Sequence, residues 1–196
     1  MISIESVIEA GDWSALLGGL SDAQIETLAD KAVRHALATD PAFTAFLGNA
    51  ANDGRLTLAL LFTDNAAVRK LNREWRDQDK PTNVLSFPGD WLELEDEDIA
   101  ALAAGDDVPP AHIGDIALAL ETIRDEAAEQ GKEPRAHLLH LILHGTLHLL
   151  GHDHEIDAEA EAMEALETRL LADFGIADPY SYRLEDVDPS HERKPV

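Results

Sequence analysis

The segment PRAHLLHLILHGTLHLLG, Pro134 to Gly151, constrains this chain more than any other. Pro134 suits the first turn of a helix and Gly151 the position just past its end. At about 100° per residue, His137, His140, His144 and His148 fall within about 80° of one another. Leu138, Ile142 and Leu149 line one flank, and Leu139, Leu143 and Leu150 the other. A helix apolar around most of its circumference belongs at the centre of a fold. Each imidazole buried with it needs a partner, because an unpaired buried polar group costs about 1–3 kcal/mol.

His144 and His148 stand four residues apart, the usual helical pair for a divalent metal. The chain has no cysteine, so any metal is held by His, Asp or Glu. A catalytic zinc site takes three protein ligands and keeps one open position. The third candidate comes from His140, His152 or His154. A straight helix would carry His152 about 12 Å along the axis from His144, too far for a compact site. Gly151 in the left-handed conformation ends the helix and turns the chain back, and this selects His154. His144, His148 and His154 are therefore the expected ligands of one Zn²⁺ per chain. His137 and His140 read as core or supporting residues, and His152 as an exposed turn residue. The spacing His-x3-His-x2-Gly-x2-His matches the metzincin pattern HExxHxxGxxH except that Gly145 stands where those peptidases carry their glutamate base.

Around this helix, strands and helices alternate. Strands are expected over Ile2–Ile8, Leu56–Phe62, Asn83–Pro88 and His112–Leu120. A capping box of Ser21 and Gln24 opens one helix, Asp64 caps another, and further helices follow residue 120 and end at Gly175. The predicted class is α+β: a small mixed sheet of about four strands packed with helices, with a central metal-binding helix. Residues 1–175 read as a single metal-hydrolase-like catalytic domain with an acidic excursion at about 89–110. Residues 176–196 read as a polar, poorly ordered C-terminal tail.

The net charge is −24, which argues against general affinity for nucleic acid. Its distribution is uneven. Arg69, Lys70, Arg73, Arg76 and Lys80 lie in twelve residues that also hold Glu74, Asp77 and Asp79, a local balance of +2. The segment Gly89 to Asp107 has no basic residue. No apolar run approaches the roughly 18 residues of a membrane span, and the acidic start lacks the basic region of a secretory leader. A cytoplasmic location and no membrane partner are expected.

The histidine motif, together with DKPTNVLSFP (Asp79 to Pro88), LNREWR before it and the IGDIAL strand, resembles the bacterial YbeY family of metal-dependent endoribonucleases. The resemblance covers roughly residues 56 to 172. It implies zinc on His144, His148 and His154, cleavage of single-stranded RNA, rRNA 3′-end maturation and ribosome quality control. It brings forward Arg76 as a functional residue. It also implies an rRNA precursor, ribosomal proteins and a ribosome-associated GTPase as partners.

The residue chemistry is compatible with that reading. Three-histidine zinc lowers the pKa of water to about 7 and so supplies hydroxide. Arg76 offers a planar fork to a phosphate, and Lys80 a second cation. Asp153 is a candidate to orient His154 or accept a proton, although a turn role suits it as well. Asp115 would brace the site or cap a turn, and Ser86 would donate to substrate or serve the strand. Two alternatives stand beside this: a non-enzymatic ribosome assembly factor with structural zinc, and another metal-dependent hydrolase. A peptidase is disfavoured by Gly145.

Overall fold

Leu56–Thr63 (β2) is apolar on both faces and lies inside a sheet. In the computed structural model, residues 2–50, 56–95, 97–98, 101–102, 110–154 and 156–180 are described. The elements run Ser3–Ile8 (β1), Trp13–Leu16 (α1), Asp22–Thr39 (α2), Pro41–Ala50 (α3), β2, Asn65–Arg76 (α4), Val84–Pro88 (β3), Ala111–Ala119 (β4), Leu120–Glu129 (α5), Pro134–Leu149 (α6) and Asp157–Ala172 (α7). Among the described residues they form one four-stranded mixed sheet, ordered β1-β2-β4-β3. β1, β2 and β4 are parallel, and β3 runs antiparallel to β4 at the edge. The fold is α+β, as the alternation predicted.

The two faces differ in what covers them. Leu58, Leu60, Phe62, Ile113, Ile116 and Leu118 join the large core shared with α2 and α6. Leu61, Leu85, Ala117 and Ala119 pack instead with Val68 and Leu71 of α4. The expected caps are present: Ser21 and Gln24 form the capping box, and Asp64 accepts from the Ala67 N–H. α6 lies in the large core, with Leu138, Ile142, Leu143, Leu147 and Leu149 all buried.

Two short helices escape the periodicity argument. α1 is a single turn capped by Asp12. α3 follows Asp40, whose Oδ1 accepts from the Phe43 N–H at 2.7 Å, with Pro41 at its first position. Phe43 and Phe46 meet Trp91 at ring-centroid distances of 5.3 and 5.4 Å. Trp91 belongs to a 3-10 turn, Asp90–Glu93, at the start of the acidic excursion, much of which lies outside the described residues. Its Nε1–H donates to the Leu149 carbonyl at 2.9 Å, so the excursion is fastened to the end of α6. Of the expected tail, residues 176–180 are described and Ile176 packs on the core; the rest lies outside the described residues.

The end of α6 also seats on a bulge. The β2–β4 register shifts at Thr57/Leu58, and Gly114 takes φ +145°. A Cβ there would stand 2.4 Å from the Phe87 carbonyl oxygen and 2.7 Å from Leu149 Cδ2. Only glycine meets both the backbone and the packing demand. Gly114→Ala is expected to cost about 2–4 kcal/mol from overpacking and strain together, read as a lower urea midpoint at an unchanged slope.

Candidate metal centre

α6 ends as Gly151 required. Leu150 is the C-cap, and Gly151 has φ +87°. The Gly151 N–H bonds the His148 carbonyl and the His152 N–H bonds the Leu147 carbonyl, both at 3.1 Å. That pair is the Schellman arrangement, and it reverses the chain. His154 is thereby carried back toward the helix. One ligand nitrogen from each of His144, His148 and His154 lies within 4.8 Å of the others. His144 and His148 are half-buried, and His154 is exposed.

The ring orientations are fixed by acceptors. His144 Nδ1 lies 2.7 Å from Glu167 Oε1, and His148 Nδ1 lies 3.0 Å from the His152 carbonyl oxygen. Burial alone would raise the Glu167 pKa, but hydrogen bonds and charge from His140 and His144 outweigh it and hold the group at about 2. A carboxylate and a carbonyl only accept, so each Nδ1 carries the hydrogen. Each ring, when neutral, then presents its Nε2 lone pair, and these two Nε2 atoms stand 3.1 Å apart. Facing lone pairs at that distance repel unless a cation lies between them. A proton is held off His148, whose pKa is pushed down to about 4, by burial first and then by His144 and His154. The donor set therefore fits a divalent metal ion held by three imidazoles.

Glu167 was not foreseen in the sequence. It is buried at 1% exposure on α7, between Met163 and Leu170 on that helix's inward stripe. An acid in an apolar stripe is the signal that would have found it. The same carboxylate lies 3.2 Å from His140 Nε2, and Tyr180 donates its hydroxyl to it. His137 in turn pairs with Glu126 at 2.9 Å. The row of histidines is thus supported by two acids, one on α5 and one on α7.

The other candidates occupy distinct places. His152 is not an exposed turn residue: it is half-buried, with Nε2 2.8 Å from Asp40, the residue that caps α3. Asp40 was unforeseen because the pair spans 112 positions. Asp153 is exposed, and its Oδ1 accepts the His154 N–H at 2.7 Å, which stiffens the returning loop. Arg76 donates from Nη2 to the Ser86 carbonyl at 3.0 Å. Lys80 is exposed, its carbonyl accepting from Asn72 Nδ2 at 2.8 Å. Arg69 is committed to a paired contact with Asp79, both bonds at 2.8 Å. Asp115 lies on the α4 side of the sheet, 3.1 Å from His112 Nε2. Ser86 Oγ is buried against α6, and a Cβ on Gly145 would stand 2.9 Å from it. Position 145 thus faces the sheet, where a glutamate side chain has no room.

Glu167→Gln is expected to lower metal affinity about 10–100-fold, read by competition with a chromogenic chelator. A second expectation concerns acid. His148 has an ordinary pKa of 6.5 and a folded value of about 4. Unfolding the metal-free chain therefore takes up a proton between those values. The stabilisation is complete above pH 6.5 and lost as pH falls toward 4. The urea midpoint of chelator-treated protein should drop across that window, and drop less in His148→Gln.

With this geometry in view, the relatives are informative. The family profile described as "Endoribonuclease YbeY" matches residues 21–175. The chain is 52% identical over 131 residues to Endoribonuclease YbeY of Rhodopseudomonas palustris, a match covering 67% of this chain and 65%, under two thirds, of that one. It is 43% identical over 184 residues to Endoribonuclease YbeY of Azorhizobium caulinodans, covering 94% and 99% of the two chains. To the Erythrobacter litoralis protein of the same name it is 45% identical over 174 residues, covering 88% and 92%. A solution structure of a Thermotoga maritima protein aligns with 98% of this chain and all (100%) of its own, at 24% identity and a TM-score of 0.44. The chain belongs to the YbeY family of endoribonucleases.

Proposed function

We propose that this chain is a zinc-dependent endoribonuclease that cuts single-stranded RNA, acting in rRNA 3′-end maturation and ribosome quality control. The observation that carries the metal dependence is the pair of Nε2 atoms 3.1 Å apart, each with its Nδ1 tied to an acceptor. Family membership carries the substrate class. His144, His148 and His154 hold the ion. When bound, it supplies Lewis acidity and hydroxide at neutral pH.

The chain's own residues do the rest. Glu167 fixes the His144 ring and its tautomer, and the His152 carbonyl does the same for His148. Asp153 holds the loop that delivers His154. Arg76 presents its guanidinium beside β3 to receive a phosphate as charge builds there, and Lys80 adds a second cation to the approach. Three convergent histidines among the described residues match a catalytic site better than a closed structural one. His140 and His152 are engaged by Glu167 and Asp40. The crowding between Gly145 and Ser86 speaks against a peptidase base at that position.

A single catalytic unit spans residues 1–175, followed by the polar tail. With a net charge of −24, the protein takes specificity from ribosomal proteins and a ribosome-associated GTPase rather than from tight RNA binding. It works in the cytoplasm. No helix among the described residues is long and apolar enough to cross a membrane.

The test pairs a labelled single-stranded RNA with an unfolded protein as alternative substrates. Chelation is expected to lower RNA cleavage at least about hundredfold, and Zn²⁺ to restore it in the parent but not in His154→Ala. Arg76→Ala should lower kcat about 10²–10³-fold with folding unchanged, on the scale of losing one charge-stabilising donor. Undiminished RNA cleavage in chelator, or cleavage of the protein alone, would overturn the reading.

A further inference from the structure

Trp75 is an exposed aromatic with a specific setting. It is 67% exposed at the end of α4, while Trp13 and Trp91 are 1% and 7% exposed. Its ring meets Phe87 of β3 edge-on, with centroids 6.1 Å apart at 65°. Phe87 lies on the same sheet face as Leu85, which packs with Leu71 of α4. The indole is thus braced by one aromatic and largely open to solvent.

Its sequence neighbours are mixed in charge with cations in excess. Glu74 and Arg76 flank it, Arg73 lies two residues before it and Asp77 two after, Lys70 stands five residues back, and Lys80 follows. Arg69 and, at 3.9 Å, Arg73 share Asp79, while Asp115, opposite Phe87 in the register, is engaged by His112. The segment 69–80 keeps a balance of +2 in a chain of −24. β3 stands between this patch, on its α4 face, and the histidine helix on its other face: Arg76 holds the Ser86 carbonyl at the strand, and Ser86 Oγ faces Gly145, the residue after His144, so a strand of RNA reaching both would pass over β3.

We propose that Trp75, braced by Phe87, is a stacking platform for one unpaired base of single-stranded RNA entering the metal centre, with Arg76 receiving the adjoining phosphate. The inference rests on the endoribonuclease reading and adds a residue that positions the substrate. A lone ring set among cations matches a nucleotide, which joins a flat π-face to a negative phosphate. A protein-docking face would instead present a wider apolar patch with fewer charges at its centre.

The experiment uses the full metal-loaded chain and an eight-nucleotide 2′-O-methyl oligouridylate. Because the other two tryptophans are buried, quenching of indole emission on titration reports Trp75. The parent is expected to quench saturably, and an RNA duplex of equal length to quench far less. In the variants, which lack this reporter, binding is read by anisotropy of the same oligonucleotide carrying a 5′ fluorescein, as it is for the parent: Trp75→Ala should weaken Kd about five- to 150-fold, the range of one base–aromatic stack, and Trp75→Phe by no more than about threefold. Quenching should vanish in Trp75→Phe, which retains a ring. Equal RNA affinity in Trp75→Ala and the parent overturns the proposal. So does loss of binding to purified ribosomal subunits in that variant with oligonucleotide affinity intact, which would mark a protein contact. Cleavage of unmodified oligouridylate is followed in parallel. Quenching without cleavage upholds the platform while sinking the nuclease reading; cleavage without quenching does the reverse.

Discussion

Two backbone hydrogen bonds at the end of α6, Gly151 N–H to the His148 carbonyl and His152 N–H to the Leu147 carbonyl, govern the geometry of the candidate metal centre. They satisfy carbonyls that a helix end leaves without partners. They also fold His152 back so that its own carbonyl meets the His148 ring. One reversal therefore fixes a tautomer and returns a third imidazole. It requires φ +87° at position 151, which explains glycine there.

The central position of α6 makes its histidines costly, and the fold meets that cost with acids from neighbouring helices. Glu126 on α5 serves His137, and Glu167 on α7 serves His140 and His144. A buried carboxylate alone would be destabilising; among imidazole N–H groups it is held ionised. Stability and site geometry draw on the same contacts. Loosening α7 would therefore free the His144 ring as well as expose core.

The sequence carried the parts whose physics is local. Spacing along α6 and the glycine after it foretold the convergence of His144, His148 and His154, because helix periodicity and left-handed glycine geometry act within a few residues. The capping box at Ser21 and the cap at Asp64 were legible for the same reason. Glu167 and Asp40 were not, since their partners lie 23 and 112 positions away and only tertiary packing brings them together. His152 read as exposed because nothing nearby in sequence announces Asp40. α3 was missed because its Pro41 start and Phe43 anchor make too short an apolar pattern to stand out.

Among the described residues β3 ends the sheet, and its ladder leaves alternate groups without a described strand beside them. Asn83 O and Gly89 N bond to β4, so the Ser86 carbonyl, out of phase with both, points to the open side. Arg76 occupies that acceptor, and Pro88, with no N–H to offer, stands two residues on. A strand from another molecule approaching this border finds one acceptor taken and no donor at Pro88. The side chain proposed to receive a phosphate thus also caps an outward acceptor of β3 and makes this border a poor template for a foreign strand.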